Sequence, residues 1–164
     1  SVEFIQQEAR VRGAAGILEA GQQLLTRVFN VTYGMPLAMK LIVSQFIAGI
    51  PIDTELNRLE GAKEEDLYKF IYMRLWFQLS IPAQKILIAA AAFASSVARF
   101  MLQPVSKTTD EEFEAAIPEL VRMSLVEPSD HATAAQRRYS IHPITRWFIN
   151  APLRELWEQQ KTGL

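Results

Sequence analysis

The chain has 164 residues, of which 49% are hydrophobic, 10% aromatic and 21% charged, and its formal net charge is −1. This is globular composition, which excludes an intrinsically disordered segment, and the near-zero charge excludes a broad polyanion-binding surface, leaving room only for a local patch. With no cysteine and only two histidines, His131 and His142, it has no disulfide framework and no thiolate zinc site, and a histidine metal cluster would need carboxylate help.

In chain order, Phe4 to Arg12 reads as a short amphipathic helix ended by Gly13. A second helix is expected from Ile17 to Asn30, with Leu18, Leu24, Leu25, Val28 and Phe29 as its buried set. A third starts at Pro36 and continues to Ala48, with Gly49 as its stop. Its apolar positions cover most of its circumference, and only Lys40, Ser44 and Gln45 form a narrow polar stripe, so it should be buried on several sides. Pro51 opens a further short helix that ends near Gly61.

A second unit is expected to begin there. Leu67, Ile71, Leu75 and Leu79 recur at four-residue spacing in a helix from Glu64 to Leu79. Ser80-Ile81-Pro82 is a turn and helix start, followed by a helix from Gln84 to Ala94 whose alanine run lets another element approach closely. Thr109-Asp110-Glu111-Glu112 looks like an N-cap followed by acids at the positive end of a helix, and Pro118 should kink or split that helix. Ser124–Glu127 and Arg138–Ile141 are the strand candidates, joined by a polar loop in which His131 should face solvent. Pro143 starts a helix containing Trp147, Phe148 and Ile149. No apolar run approaches the roughly 18–20 residues of a membrane span, and Ser1-Val2-Glu3-Phe4 is no signal peptide. The chain opens in mid-helix chemistry, as though cut from a longer polypeptide, and a cytoplasmic location fits.

Motifs for chemistry are few. No Walker-type Gly-x-x-x-x-Gly-Lys-Ser/Thr, Gly-x-Ser-x-Gly, His-Glu-x-x-His or Cys-His arrangement occurs, so no catalytic residue is assigned and the stretch is not expected to be an enzyme by itself. Two constellations remain. In Gly34-Met35-Pro36, proline stands at a first helical position, where its missing N–H would have no partner, and Gly34 allows a sharp turn or a close approach; taken alone this is a turn and a helix cap. In Tyr139-Ser140-Ile141-His142-Pro143-Ile144, His142 lies between a strand and a helix N-terminus. It either caps that helix, half-buried, or donates to a phosphate drawn there by free N–H groups and the helix dipole. Trp76, Phe77, Phe93, Phe100, Trp147 and Phe148 read as core or inter-domain packing.

The run Gly34-Met35-Pro36-Leu37-Ala38-Met39-Lys40-Leu41-Ile42 resembles the G-x-P-L-A motif of the STAND class of signal-transducing NTPases, which includes the NB-ARC proteins. Leu79 to Phe93, Leu120 to Glu127 and the His142 segment are similar to that family's winged-helix segments. The resemblance implies a mainly α fold: a four-helix lid subdomain (residues 1–61), a winged-helix domain with one β-hairpin (62–150), and a C-terminal helix or linker to a following domain (151–164). It further implies that Gly34, Pro36 and His142 are nucleotide-binding residues, with Pro36 against the adenine and His142 reading the β-phosphate of ADP, holding a closed resting form. ADP or ATP with Mg2+ would belong to the full-length protein, where the partner is its own P-loop domain and oligomerisation is allowed, and the isolated stretch would hold no cofactor. Two positions depart from the family's Met-His-Asp pattern. Ile141 stands for methionine and Pro143 for aspartate, which puts in doubt any restraint that depends on the aspartate.

Rival readings are weaker. A winged helix invites DNA binding, but the helix before the wing carries Asp110, Glu111, Glu112, Glu114 and Glu119 against Arg122, a balance of −4, and phosphate would repel it. Arg137 and Arg138 do not offset that. Lids of origin-recognition ATPases place an arginine after the equivalent turn, where this chain has Lys40. A plain helical protein-interaction module, with no nucleotide, is the remaining alternative.

Overall fold

The structure, a computed structural model, describes all residues except His131, Ala132, Ala134 and Leu164; the expectation for His131 therefore lies outside the described residues. The described chain is mainly helical with a small antiparallel sheet. Its internal packing divides it into two units, Ser1–Leu75 and Trp76–Leu164.

The first unit contains α1 (Val2–Val11), α2 (Ala15–Leu18), α3 (Gln22–Val31), α4 (Pro36–Ile47), α5 (Ile52–Glu60) and α6 (Glu64–Trp76), the last of which ends at the division. The single helix expected over 17–30 is two helices. Gly21 takes an extended conformation as the N-cap of α3, consistent with glycine's poor helix propensity. Leu18 consequently faces solvent, while Leu25 and Val28 are buried.

Helix α4 is the centre of this unit: Ala38, Met39, Leu41, Ile42 and Val43 are buried, and so are the polar Ser44 and Gln45. Buried polar groups need partners. The Arg12 guanidinium donates to Lys40 O at 3.0 Å and to Ser44 Oγ at 2.8 Å, and burial lowers the pKa of Arg12 against the opposing pull of Glu8. Gln45 Nε2 donates to Ile71 O at 3.3 Å, whereas its Oε1 has no partner among the described residues. Residues 62–75, attached by sequence to the second unit, hydrogen-bond within the first. Besides the Gln45 bond, Arg58 donates to Phe70 O at 3.1 Å, and Arg74 lies 3.8 Å from Glu55, a carboxylate 2% exposed that also holds Arg58.

The second unit runs α7 (Ile81–Ala91), β1 (Val97–Ala98), α8 (Arg99–Ser106), α9 (Asp110–Arg122), β2 (Glu127–Pro128), β3 (Arg138–Ser140), α10 (Pro143–Phe148), a π-helical turn (Ile149–Leu153) and α11 (Arg154–Thr162). The sheet order is β1-β3-β2, antiparallel throughout, pairing Val97 with Tyr139 and Glu127 with Ser140. One hairpin was expected; β1 adds a third strand on the other side of β3. The strand expected over 124–127 starts only at Glu127, because Ser124 is left-handed, with φ of 60°, and turns the chain out of α9 first.

Helix α9 carries a complete capping box. Thr109 Oγ1 accepts from Glu112 N–H at 3.1 Å and Glu112 Oε2 accepts from Thr109 N–H at 2.9 Å. It runs from Asp110 to Arg122 as one helix, so of the kink or split expected at Pro118 the split does not occur; this proline is exposed. Phe113 is buried edge-on to Tyr139 of β3, ring centres 5.9 Å apart, and the Arg99 guanidinium lies over the Phe113 ring, 4.8 Å from its centre, while reaching Glu114 and Asp110. Pro152 sits within the π-helical turn, where a residue without an N–H interrupts the ordinary ladder. Of the aromatics read as packing, Trp76 and Phe148 are buried. Phe77, Phe100 and Trp147 are exposed, so the core reading fails for those three.

Candidate functional site

The Gly34-Met35-Pro36 turn is built by the end of α3. Thr32, fully buried, donates its hydroxyl to Val28 O at 2.7 Å. Tyr33 and Gly34 are then both left-handed, with φ of 53° and 70°. Their N–H groups close on Asn30 O at 3.1 Å and Phe29 O at 3.0 Å, and Met35 N–H follows onto Thr32 O at 2.9 Å. These bonds satisfy carbonyls that the end of a helix would otherwise leave open. Gly34 is required for a second reason: a Cβ there would lie 3.1 Å from two atoms of the Phe29 ring. Met35 is extended and Pro36 occupies the first position of α4.

The outcome is a ledge of apolar side chains at the head of α4. Pro36 and Tyr33 are exposed, and Met35 and Leu37 are half-buried. The Tyr33 hydroxyl donates to Ala62 O at 3.4 Å. Beneath Tyr33, a cavity of about 170 Å3 is lined by Asn30, Val31, Leu59 and Glu60, below the roughly 300–1,000 Å3 of pockets that enclose a small molecule. The ledge therefore suits contact with one flat face of a ligand held mainly by something else. Tyr68 of α6 approaches the first turn of α4. Burial raises its phenol pKa, and the Ala38 backbone partly offsets that; only an N–H, which favours the phenolate, acts in that direction.

Nearby, Arg27 donates to Glu60 and to Asp53, each at 2.9 Å, and to Asn57 at 2.8 Å. The hydrogen bond to Glu60, followed by that to Asp53, raises its pKa. This cluster fastens α3 to α5 across an exposed surface, and its carboxylates leave no net positive charge for an anion.

His142 belongs to the second unit, so the structure brings Gly34 and Pro36 together in one unit and carries His142 in the other. It follows β3 and buried Ile141, and it is the N-cap of α10. Its Nδ1 accepts from Ile144 N–H at 3.1 Å, so in the neutral ring the proton is on Nε2. The side chain is exposed, and Nε2–H is a donor directed away from the cap. Pro143 fills the first helical position and donates nothing. Helix α10 is held by Arg146, whose Nη2 donates to Phe93 O at 2.8 Å.

In β3, Arg138 is committed to structure: its Nε and Nη2 donate to Ser96 Oγ at 2.9 Å and Ser96 O at 2.7 Å. A cavity of about 500 Å3 opens between the start of α7 and α9, lined by Ser80, Pro82, Thr109, Glu111, Glu112 and Glu119 among others. Sequence reasoning missed the role of Glu119. Its carboxylate accepts from Ser80 N–H at 2.8 Å and from the Ser80 hydroxyl at 2.6 Å, while Ser80 Oγ accepts from Ala83 N–H. The cavity is acidic, and its carboxylates serve helix ends. Among the described residues no group of three or more His, Cys, Asp or Glu side chains could hold a metal ion, and no helix is long and apolar enough to cross a membrane.

The chain's sequence matches no protein-family model and no curated protein.

Proposed function

We propose that this chain is the helical lid and winged-helix portion of a STAND-class nucleotide-dependent signalling switch, cytoplasmic and without catalytic residues of its own. The observation that carries the reading is the state of His142. Its Nδ1 is fixed by the helix cap, which orients the ring and leaves an exposed Nε2–H, the donor that reading a phosphate oxygen requires.

Two further features support it. The order α7-β1-α8-α9-β2-β3 with sheet order β1-β3-β2 supports the winged-helix reading, in which β2 and β3 would form the wing. At the other motif, Gly34 is demanded by backbone and by Phe29, and the exposed Pro36 ring offers an apolar face without a donor. These residues fit an adenine nucleotide. Pro36 would lie against the base and His142 would donate to the β-phosphate, while a P-loop domain elsewhere in the full-length polypeptide would hold the remaining phosphate charge with Mg2+. The bound nucleotide supplies a purine face and phosphate charge; this chain supplies contacts that differ between the two states of the switch. Inverting such an equilibrium from 1:99 to 99:1 takes about 5.5 kcal/mol of differential binding.

The test uses the polypeptide extended N-terminally by about one domain of 150–200 residues. It is purified, denatured and assayed for released ADP, alongside Pro36→Ala, His142→Ala and His142→Asn. Asparagine is as good an N-cap as any residue, so His142→Asn preserves the helix start and removes only the imidazole. Retained ADP that Pro36→Ala and both His142 variants deplete supports the switch. ADP lost with His142→Ala and kept with His142→Asn would reduce His142 to a cap. No nucleotide in any of the proteins would overturn the reading. Nucleic acid is disfavoured, since α9 is acidic and Arg138 is engaged by Ser96.

A further inference from the structure

Helices α7 and α8 leave a groove between them that the second unit does not fill. It measures about 280 Å3 and is lined by Lys85, Ile88, Ala89, Ala92, Val105 and Ser106. Along α7 the outward positions are Ile81, Lys85, Ile88 and Ala92, spaced four, three and four residues apart. That is the spacing of a seam meant for another helix. Along α8, Val105 lines the facing side. The apolar residues lining it stay open to solvent: Ile88 is 38% exposed and Val105 52%. Ala89 and Ala92 make a floor of small side chains, which lets a third backbone approach closely.

Charge narrows the occupant. Lys85 lies within the groove, and Lys107, the left-handed residue that ends α8, follows the lining residue Ser106. Neither lysine has an ion-pair partner among the described residues, although α9 of the same unit carries five acids. An apolar groove lined by the unpaired Lys85, with Lys107 next in the chain to its lining residue Ser106, is complementary to an amphipathic helix that has an apolar stripe and acidic flanks. The volume lies just below the range for enclosed small molecules and suits the side-chain anchors of a helix. A bilayer fits less well, because a flat surface would bridge the two walls and leave the alanine floor uncovered.

We propose that the α7/α8 groove is a docking site for an amphipathic helix with acidic flanking residues. The lysines set its charge preference, and Ile88 and Val105 grip its apolar stripe. The proposal involves neither Gly34, Pro36 nor His142, so it stands or falls apart from the nucleotide reading.

The test uses the whole chain and two designed helical peptides with leucines at i, i+3, i+4 and i+7, one flanked by glutamates and the other by lysines, each carrying a dye for fluorescence anisotropy. The glutamate peptide should bind about tenfold tighter than the lysine peptide, from attraction in one and repulsion in the other. Lys85→Glu with Lys107→Glu should reverse that order. Val105→Lys, a surface change that leaves the circular dichroism intact, should weaken the glutamate peptide about tenfold or more. Equal binding of both peptides, no binding of either, or insensitivity to Val105→Lys would overturn the proposal. So would two direct alternatives. One is binding to phosphatidylserine vesicles that Val105→Lys abolishes while the peptides stay unbound. The other is concentration-dependent self-association in sedimentation that the same substitution abolishes.

Discussion

Replacing Gly34 with alanine tests whether the turn before α4 is fixed by the backbone, by Phe29, or by both. The left-handed conformation, φ 70°, costs an L-residue about 1–2 kcal/mol, partly offset by about 0.4–1 kcal/mol from the stiffer unfolded chain. The new methyl would also meet the Phe29 ring at 3.1 Å, and pushing a half-buried ring off its rotamer adds about 0.5–1.5 kcal/mol. The sum is about 0.5–3 kcal/mol, centred near 2. For a unit of 75 residues, the central value lowers the melting temperature by roughly 8–16 °C. In a Trp76→Phe background, which removes the indole at the end of α6, the assay can tell which unit melts, because Trp147 and Trp157 belong to the second unit. A far-UV circular dichroism transition that moves while tryptophan fluorescence does not is the first unit's own. A double-mutant cycle with Phe29→Leu then separates the two causes: part of the cost should vanish when the ring is gone, leaving the backbone part. An unchanged melting temperature for Gly34→Ala would refute the left-handed turn, and an identical cost in both backgrounds would refute the role of Phe29.

Glu119→Ala strips both bonds from Ser80 and should destabilise the second unit by about 1–2 kcal/mol, visible in tryptophan-monitored urea unfolding; an unchanged midpoint would show the carboxylate to be idle. Pro118→Ala should stabilise the same unit by about 1–3 kcal/mol, since an exposed interior proline withholds a helix bond, and a fall in stability would show that α9 needs the ring. Tyr68 has a raised pKa from burial, so the folded state keeps its proton more firmly than the unfolded one. Its contribution is complete below the ordinary phenol pKa of about 10 and is lost as pH rises above it. Urea midpoints compared at pH 8 and in that alkaline window should therefore fall further for the native chain than for Tyr68→Phe, and parallel declines would deny the effect. His142→Ala should cost about 1 kcal/mol through loss of the cap, and His142→Asn much less, read by the same fluorescence titration; equal losses would mean that the cap contributes nothing.

What was legible in the sequence is what periodicity and end signals encode. Thr109 with Glu112, Ser80 before Pro82, and Pro36 after Gly34 each announced a helix start that the structure contains. Elements too short to carry a period stayed hidden. Strand β1 has two residues, and α8 with its internal Pro104 looks like a loop. Leu18 was read as buried because it continues the apolar pattern of α3, yet the break at Gly21 rotates it to solvent. The boundary at residue 61, which the helix stop at Gly61 suggests and the resemblance implies, assigns residues 62–75 to the second unit. Their allegiance is set by Gln45, Arg58 and Glu55 reaching them from elsewhere, which no local pattern can show. The candidate residues were visible because glycine, proline and histidine stand out at element ends. The bonds that define their state, Phe29 against Gly34 and Ile144 onto His142, were not.

At both motifs the plain structural explanation and the ligand reading use different parts of the same residue. His142 spends Nδ1 on Ile144 N–H and keeps Nε2–H facing outward. A cap that fixes the ring also removes the rotational freedom a phosphate contact would otherwise have to restrict, so capping makes the second nitrogen a better donor. Pro36 contributes its fixed backbone to the start of α4, and the residue remains exposed. The two explanations are therefore not rivals whose probabilities trade off. Finding that either residue stabilises its helix leaves the nucleotide question where it was. Only substitutions that keep the cap and remove the free edge, with His142→Asn as the cleanest, bear on function.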